Sequence, residues 1–387
     1  MMDAPVYLDH HSTTPLDRRV LDEMMPYMTE KFGNPSSLDH GYGSEASSAV
    51  EAAREKIARS IGARRDEIVF TSGATESDNL ALLGTMSKYA DRGDHLVTCT
   101  TEHKAVLDVA RHLESAGKQV TYVPVSEEGT ITMDELQDAI TDRTVMISIM
   151  TANNEIGTIH NVAEIGKIAH ERNVLFHTDA AQAVGHIPID VSAMNIDLMS
   201  FSAHKMYGPK GVGTLYVRGL RPRVRPDPII HGGGHEGNMR SGTLNVPGIV
   251  GFGKAAEIAQ KEMDTENERF NRWSKMILDS FLDKGALING SRENRLAHNV
   301  SVCFPGIEGK AIINSVSKQV AISAGSACTT QTVEPSHVIL ALGFGEERAH
   351  STIRAGLGRF NTEDEIKLFM DVVAEKTSML SKIRASA

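Results

Sequence analysis

The sequence predicts an α/β protein with a large, mainly parallel sheet and a smaller α+β portion. Two observations carry this. From about residue 60, short β-branched runs alternate with longer helical patterns, the rhythm of strands joined by crossover helices. After about residue 255 that rhythm gives way to one long charged helical pattern followed by short strands. The chain of 387 residues, 41% of them hydrophobic, is long enough to bury a large core and to form two domains.

The elements follow in order. VYLD, near the start, is a short β-like stretch ahead of the first helix, expected to pair with the smaller portion. Strands are expected in EIVFTSG (67–73), HLVTC (95–99), QVTYVPV (119–125), TVMISIM (144–150), VLFHTDA (174–180) and DLMSFS (197–202). Helix starts are marked by capping boxes at Thr132 with Glu135 and Thr362 with Glu365, and by a weaker version at Asn161 with Glu164. RGLRPRVRP (218–226), four arginines among two prolines, reads as an exposed edge or loop. A long helix over 253–284, short strands near HNVSVCF (298–304) and a final helix from Glu363 complete the chain. This divides it into a large domain, 14–255, and a small one made of 1–13 and 256–387.

Composition narrows the function. A formal charge of -10, from 40 basic and 50 acidic residues, argues against direct nucleic-acid binding, which needs clustered cations. Three widely separated cysteines (Cys99, Cys303, Cys328) offer neither a disulfide framework nor a metal knuckle and favour a reducing compartment. MMDAPVYLDHH has acidic and histidine residues where a signal peptide needs a basic stretch and an apolar core. No run of about 18 apolar residues appears, so no membrane span is expected and the cytoplasm is the expected location.

In DLMSFSAHKMYGPKG (197–211), Lys205 follows an apolar strand and is flanked by Ser202, His204 and Gly208. That setting suits Schiff-base chemistry with pyridoxal phosphate better than a solvated face, although a surface lysine in a strand-to-loop turn would read alike. The cofactor needs a lysine for its aldehyde, an anion at the ring nitrogen, donors for its phosphate and a flat group against the ring. Asp179 closes VLFHTD and suits the ring nitrogen, with Gln182 three residues on for the ring hydroxyl. In FTSGATES (70–77) a strand leads into a helix, so backbone N–H groups near Gly73, Ala74 and Thr75 can cradle a phosphate, although an ordinary strand-turn-helix junction that binds nothing would read alike. Ser202 and His204 add donors. His103, after HLVTC, stands at another strand end, where an imidazole can lie over the ring and move protons. HGGGHEGNMRSGTLN (231–245) suggests a metal through His231, His235 and Glu236, but three glycines between the histidines prevent the helical i, i+4 display, and no metal is expected.

ATES (74–77), TEHKAV (101–106), NNEIG (153–157), TDAAQ (178–182) and SAHK (202–205) together resemble the class V branch of fold type I pyridoxal-phosphate enzymes, the NifS/IscS-type cysteine desulfurases in particular. The likeness runs from YLDHHSTTP (7–15) to LGRF (357–360). It implies a fold type I transferase in which Lys205 is the Schiff-base lysine, His103 the stacking acid/base, Asp179 the ring-nitrogen partner and Gln182 the hydroxyl partner. Thr75, Ser202 and His204, beside Ala74, would bind the phosphate. Arg354, in HSTIRAGLGRF, takes the family's position for the substrate carboxylate, with Asn154 nearby at the cofactor. Thr243 would reach the phosphate of the neighbouring subunit, implying a homodimer with shared sites.

The remaining reactive group is Cys328, in AISAGSACTTQTVEP, a stretch of small and polar residues that reads as a loop. Cys99 and Cys303 lie in apolar strands and read as core. A loop thiolate can attack the sulfur of a cofactor-bound cysteine and carry it outward as a persulfide. This resembles the GSACT loop of the family's long-loop group, with SAGSAC where many relatives have SSGSAC. The implied reaction starts with L-cysteine displacing Lys205; the freed lysine removes the α-proton beside an electron-withdrawing ring, Cys328 takes the sulfur, and alanine leaves. The acceptor, for iron–sulfur cluster assembly or tRNA thiolation, would be another protein. Housekeeping members dock an iron–sulfur scaffold on a tail longer than the one ending here at Ala387. A selenocysteine lyase, another pyridoxal-phosphate lyase or aminotransferase, and a non-catalytic interaction protein on the same fold are the competing readings.

Overall fold

The computed structural model describes residues 4–324 and 335–386. Along the chain run β1 (Val6–Tyr7), α1 (Arg18–Thr29), α2 (Gly41–Ser60), β2 (Ile68–Thr71), α3 (Ala74–Lys88), β3 (His95–Cys99), α4 (Lys104–Ser115) and β4 (Gln119–Val123). They are followed by α5 (Met133–Ala139), β5 (Thr144–Ser148), α6 (Val162–Glu171), β6 (Leu175–Asp179), β7 (Leu198–Ser202), β8 (Gly213–Val217) and α7 (Val246–Leu282). The remainder is β9 (Leu287–Ile288), β10 (Asn299–Cys303), α8 (Gly309–Val316), β11 (Val320–Ala321), α9 (His337–Ala341), α10 (Gly345–His350), β12 (Thr352–Gly356) and α11 (Glu363–Ser386).

Seven strands form one sheet in the order β2-β8-β7-β6-β5-β3-β4. The pairs from β7 through β6, β5 and β3 to β4 are all parallel, and only β8 runs against its neighbours β7 and β2. Every residue of β3, β5, β6, β7 and β8 is buried, as a sheet covered on both faces requires. Side chains alternate across it: Val97, Ile147, Phe176 and Met199 pack in one core with Ile57 of α2 and Phe252 of α7. Leu96, Met146, Leu175 and Leu198 pack in the other with Leu80 of α3 and Val106 of α4.

A third core joins Phe270, Trp273, Ile277 and Phe281 of α7 to Val300, Val302, Ile353 and Phe369. Here β12, β10 and β9 form an antiparallel sheet, and β1 pairs in parallel with β11, so the VYLD stretch joins this region. α7 is a single 37-residue helix, about 55 Å long, that contributes to both regions. It starts at Val246 rather than near 253, because Asn245 caps it by accepting from the N–H of Gly248.

The capping residues act as their sequences imply. Thr362 accepts from the N–H of Glu365 while Glu365 accepts from the N–H of Thr362, and Thr132 and Asn161 accept from Glu135 and Glu164. The arginine-rich stretch divides. Arg221, Arg223 and Arg225 are exposed, whereas Arg218 is buried against Asp197 at 2.8 Å.

Candidate active site

The carboxyl ends of β2, β3, β6 and β7 share one edge of the sheet, and a cleft of about 520 Å³ opens there. The segments leaving these strands supply its walls: Ala74 and Thr75 after β2, His103 after β3, Asp179 and Gln182 at and beyond the end of β6, and Ser202, His204 and Lys205 at the end of β7. Asn154 of the NNEIG segment closes one side. Residues up to 131 apart in sequence thus meet because parallel strands present their carboxyl ends together.

Lys205 ends a single 3-10 turn, Ala203–Lys205, and its Nζ donates to the carbonyls of His11 and, at 2.9 Å, Ser12. Burial, reinforced by the Arg354 guanidinium, lowers its pKa to about 8. Asp179 is buried, and its Oδ1 accepts from the Ala181 N–H at 2.8 Å. Burial raises its pKa, while His103 and Lys205 pull it back toward the anion. His103 is the N-cap of α4: its Nδ1 accepts from the Ala105 N–H at 3.1 Å, which leaves Nε2 for proton exchange. The protein around it lowers its pKa by desolvation, against the pull of Asp179. His204 bonds Thr13 at 3.2 Å, and burial, then Lys205, lowers it to about 4, so it is a neutral donor or acceptor at pH 7.

These residues fit pyridoxal phosphate. Gly73, the N-cap of α3, has no side chain to cap the helix, so its first N–H groups face the cleft that Gly73, Ala74 and Thr75 line. The close approach of β8 shapes this cradle: a Cβ on Gly213 would lie 2.5 Å from the Gly73 Cα. An anion site, an amine of lowered pKa and a buried carboxylate within one cleft match the phosphate, aldehyde and ring nitrogen in turn.

Arg354 stands behind this cleft on β12, 3% exposed. Its guanidinium donates to the carbonyl of Asn154 at 2.8 Å, to Asp9 at 2.8 Å and to the Ser12 hydroxyl at 3.1 Å, which sets it beside the lining residues Ser12 and Asn154. Thr243 is exposed and does not line the cleft of its own chain. Cys328 lies outside the described residues. Cys99 and Cys303 are buried, and burial pushes the Cys303 thiol up to about 11. Glu236 of the histidine–glycine segment is taken by Arg54, at 2.7 and 2.8 Å, and by the Phe70 N–H.

Sequence reasoning missed several residues at the site. Asp78, one turn into α3, is fully buried on the cleft, with His177 Nε2 3.6 Å from its Oδ1. Burial and the Asp179 charge push it well above the usual carboxylate range. Glu102, beside His103, accepts from the Met150 N–H at 2.6 Å, and burial raises it to about 8. His11 holds the Gln182 side chain, and Asp9 holds Arg354. Both lie in YLDHHSTTP, but only the fold brings that segment to Lys205.

An aminotransferase class-V family model matches residues 6–369. The chain belongs to this family. It is 51% identical over 385 residues to the cysteine desulfurase IscS of Anaeromyxobacter dehalogenans, covering 99% of this chain and 95% of the relative. The cysteine desulfurase IscS of Rickettsia felis is 49% identical over 383 residues, covering 98% of this chain and 93% of the relative. Among solved structures, a NifS-like protein superposes with a TM-score of 0.90 at 40% identity, covering 97% of this chain and all of the other. SspA in complex with cysteine gives 0.80 at 37% identity, over 92% of this chain and all of the other.

Proposed function

We propose that this protein is a pyridoxal-phosphate-dependent cysteine desulfurase that converts L-cysteine to L-alanine and passes the sulfur on as a persulfide of Cys328. The observation that carries this reading is one cleft holding a lysine of lowered pKa, a buried carboxylate at a strand end, an uncapped helix start and, behind it, an arginine. The family and the IscS relatives support it across nearly the whole chain.

When bound, pyridoxal phosphate supplies an aldehyde for the substrate amine and a ring that draws electrons from the α-carbon. With a pKa near 8, about a tenth of Lys205 is neutral at pH 7, against a few parts in ten thousand for an ordinary lysine, so it can act as a base there. Arg354, held by Asp9 and the Asn154 carbonyl, offers its fork to the substrate carboxylate. Asp179 keeps a negative charge at the ring nitrogen, and His103, pinned through Nδ1, moves protons through Nε2. Cys328 attacks the substrate sulfur as a thiolate. An S–S bond forms as the substrate C–S bond breaks, and its electron pair stays on carbon, which takes a proton and becomes the methyl group of alanine.

Two further assignments belong to this reading. Residues 14–255 form the cofactor-binding domain, and 1–13 with 256–387 the domain that carries Cys328. The active unit is a homodimer in which Thr243 serves the partner's site; Thr243 is exposed in the single chain, and so are the apolar residues Met28, Phe32 and Leu38. The sulfur passes to an acceptor protein of iron–sulfur cluster assembly or tRNA thiolation. A cytoplasmic location belongs to the same reading; among the described residues no helix is long and apolar enough to cross a membrane. Alanine and sulfide release from L-cysteine with a reductant present, parent against Cys328→Ser, tests the mechanism. Loss of both products with the yellow colour retained is expected, and unchanged release would leave a lyase whose chemistry does not use the thiol.

A further inference from the structure

Gln182 is held on both ends by one residue. Its Oε1 meets His11 Nδ1 at 3.0 Å, and its Nε2 donates to the His11 carbonyl at 2.9 Å. Which end of the amide is the donor is settled further back. Arg295 donates to Asn299 Oδ1 at 2.7 Å, and a guanidinium has no acceptor, so that atom is the amide oxygen. Asn299 Nδ2 also donates to the Glu155 carbonyl at 3.3 Å, which agrees. Asn299 Nδ2 therefore donates to His11 Nε2 at 3.1 Å, and the His11 proton sits on Nδ1, facing Gln182 Oε1.

His11 is 1% exposed, and His298 stacks between it and His186 with ring centroids 4.5 and 4.1 Å away. Burial, then Arg354, hold the His11 pKa well below its ordinary value, so the ring stays neutral and the tautomer stays set by Asn299. Arg295 itself bonds only neutral acceptors in this network, the Ser291 and Asn289 carbonyls and Asn299.

We propose that His11 is a positioning residue for the cofactor's ring hydroxyl: the directed chain Arg295, Asn299, His11 orients the Gln182 amide so that its second N–H serves as a donor in the cleft. The inference rests on the assignment of Gln182 to that hydroxyl. It gives His11 and Asn299, 288 residues apart, a role in the same reaction. Losing the donor leaves the ring oxygen more basic, so the holoenzyme releases its shared proton at higher pH.

The test is the midpoint of the pH titration of the visible absorption band, measured on cofactor-loaded enzyme. Gln182→Leu is expected to raise the midpoint by about one to two pH units, the effect of losing one hydrogen bond to a charged oxygen; His11→Ala is expected to raise it by a smaller, measurable part of that, because Gln182 Nε2 keeps its bond to the main-chain carbonyl of residue 11. His11→Asn, whose amide nitrogen takes the place of Nδ1, is expected to keep the midpoint close to that of the parent. Asn299→Asp retains its contact with Arg295 but cannot donate to Nε2, so it too is expected to raise the midpoint; it serves as the test if His11→Ala does not fold. Gln182→Leu separates the two assignments. If it raises the midpoint while His11→Ala and Asn299→Asp leave it unchanged, the role of His11 is overturned; if Gln182→Leu also leaves it unchanged, Gln182 is not at the hydroxyl and both assignments fall.

Discussion

Arg354→Gln removes the charge assigned to the substrate carboxylate while keeping a shorter, neutral polar side chain. A bidentate guanidinium–carboxylate pair contains two charge-assisted hydrogen bonds, each worth about 1.5–3 kcal/mol, so kcat/KM for L-cysteine is expected to fall by roughly a hundred- to twenty-thousand-fold. Most of the loss should appear in KM, because the carboxylate is bound alike in ground and transition states. The same change has a second readout. Arg354 is the strongest charge depressing Lys205, after burial, so the Lys205 pKa should rise from about 8 toward its ordinary value. Arg354→Lys keeps the charge without the fork and should recover only part of kcat/KM. Asp9→Asn, which weakens the 2.8 Å support of the guanidinium, should give a smaller loss of the same kind. Initial rates of alanine formation against L-cysteine concentration measure all three. A KM for Arg354→Gln equal to that of the parent, with cofactor still bound, would refute the assignment.

Other outcomes follow from the same geometry. Lys205→Ala should remove turnover and the lysine-linked absorption band, read by activity and by spectrum, while the fold persists by circular dichroism. Arg359→Met removes a buried guanidinium that bridges Asp17 at 2.9 Å and Glu266 at 2.6 Å; Asp17 keeps Arg19 at 2.7 Å, but leaving the buried Glu266 carboxylate unpaired should cost about 3–5 kcal/mol in denaturant unfolding. Glu102 has a raised pKa in the folded chain, so folding holds its proton from 4.5 up to about 8 and stability falls as pH rises through that window. Glu102→Gln should therefore gain on the parent with rising pH in thermal melts taken across that range. Ser336→Ala strips a 2.6 Å donor from the buried Glu155 carboxylate and should lower stability by about 1–3 kcal/mol, read in the same unfolding assay.

The parallel strands were legible because each is a short apolar run bounded by turn residues, and the order of their ends follows from the α/β rhythm. Lys205, Asp179, Gln182 and His103 were legible for a related reason: a polar residue just beyond an apolar strand stands at the ligand-binding edge. β8 was not read as a strand. It begins at Gly213, follows a glycine-rich turn and runs antiparallel, so neither the crossover rhythm nor its composition marks it. Asp78 was hidden because its burial comes from the packing of α3 against the sheet, which charge in a helical pattern does not reveal. The bonds from His11 to Gln182 and Asn299 join residues 171 and 288 positions apart, and no local pattern carries such a contact. α7 starts seven residues before the expected 253, and Pro247, one residue after the first helical position, fits its first turn.

The central claim is that sulfur leaves L-cysteine onto Cys328. Mixing cofactor-loaded enzyme with L-cysteine, without reductant, and mapping the Cys328 peptide by mass spectrometry alongside alanine release tests it most directly. The account expects one added sulfur atom on Cys328 for each alanine formed in the first turnover, and none on Cys99 or Cys303. Alanine formed while Cys328 carries no additional sulfur would contradict it.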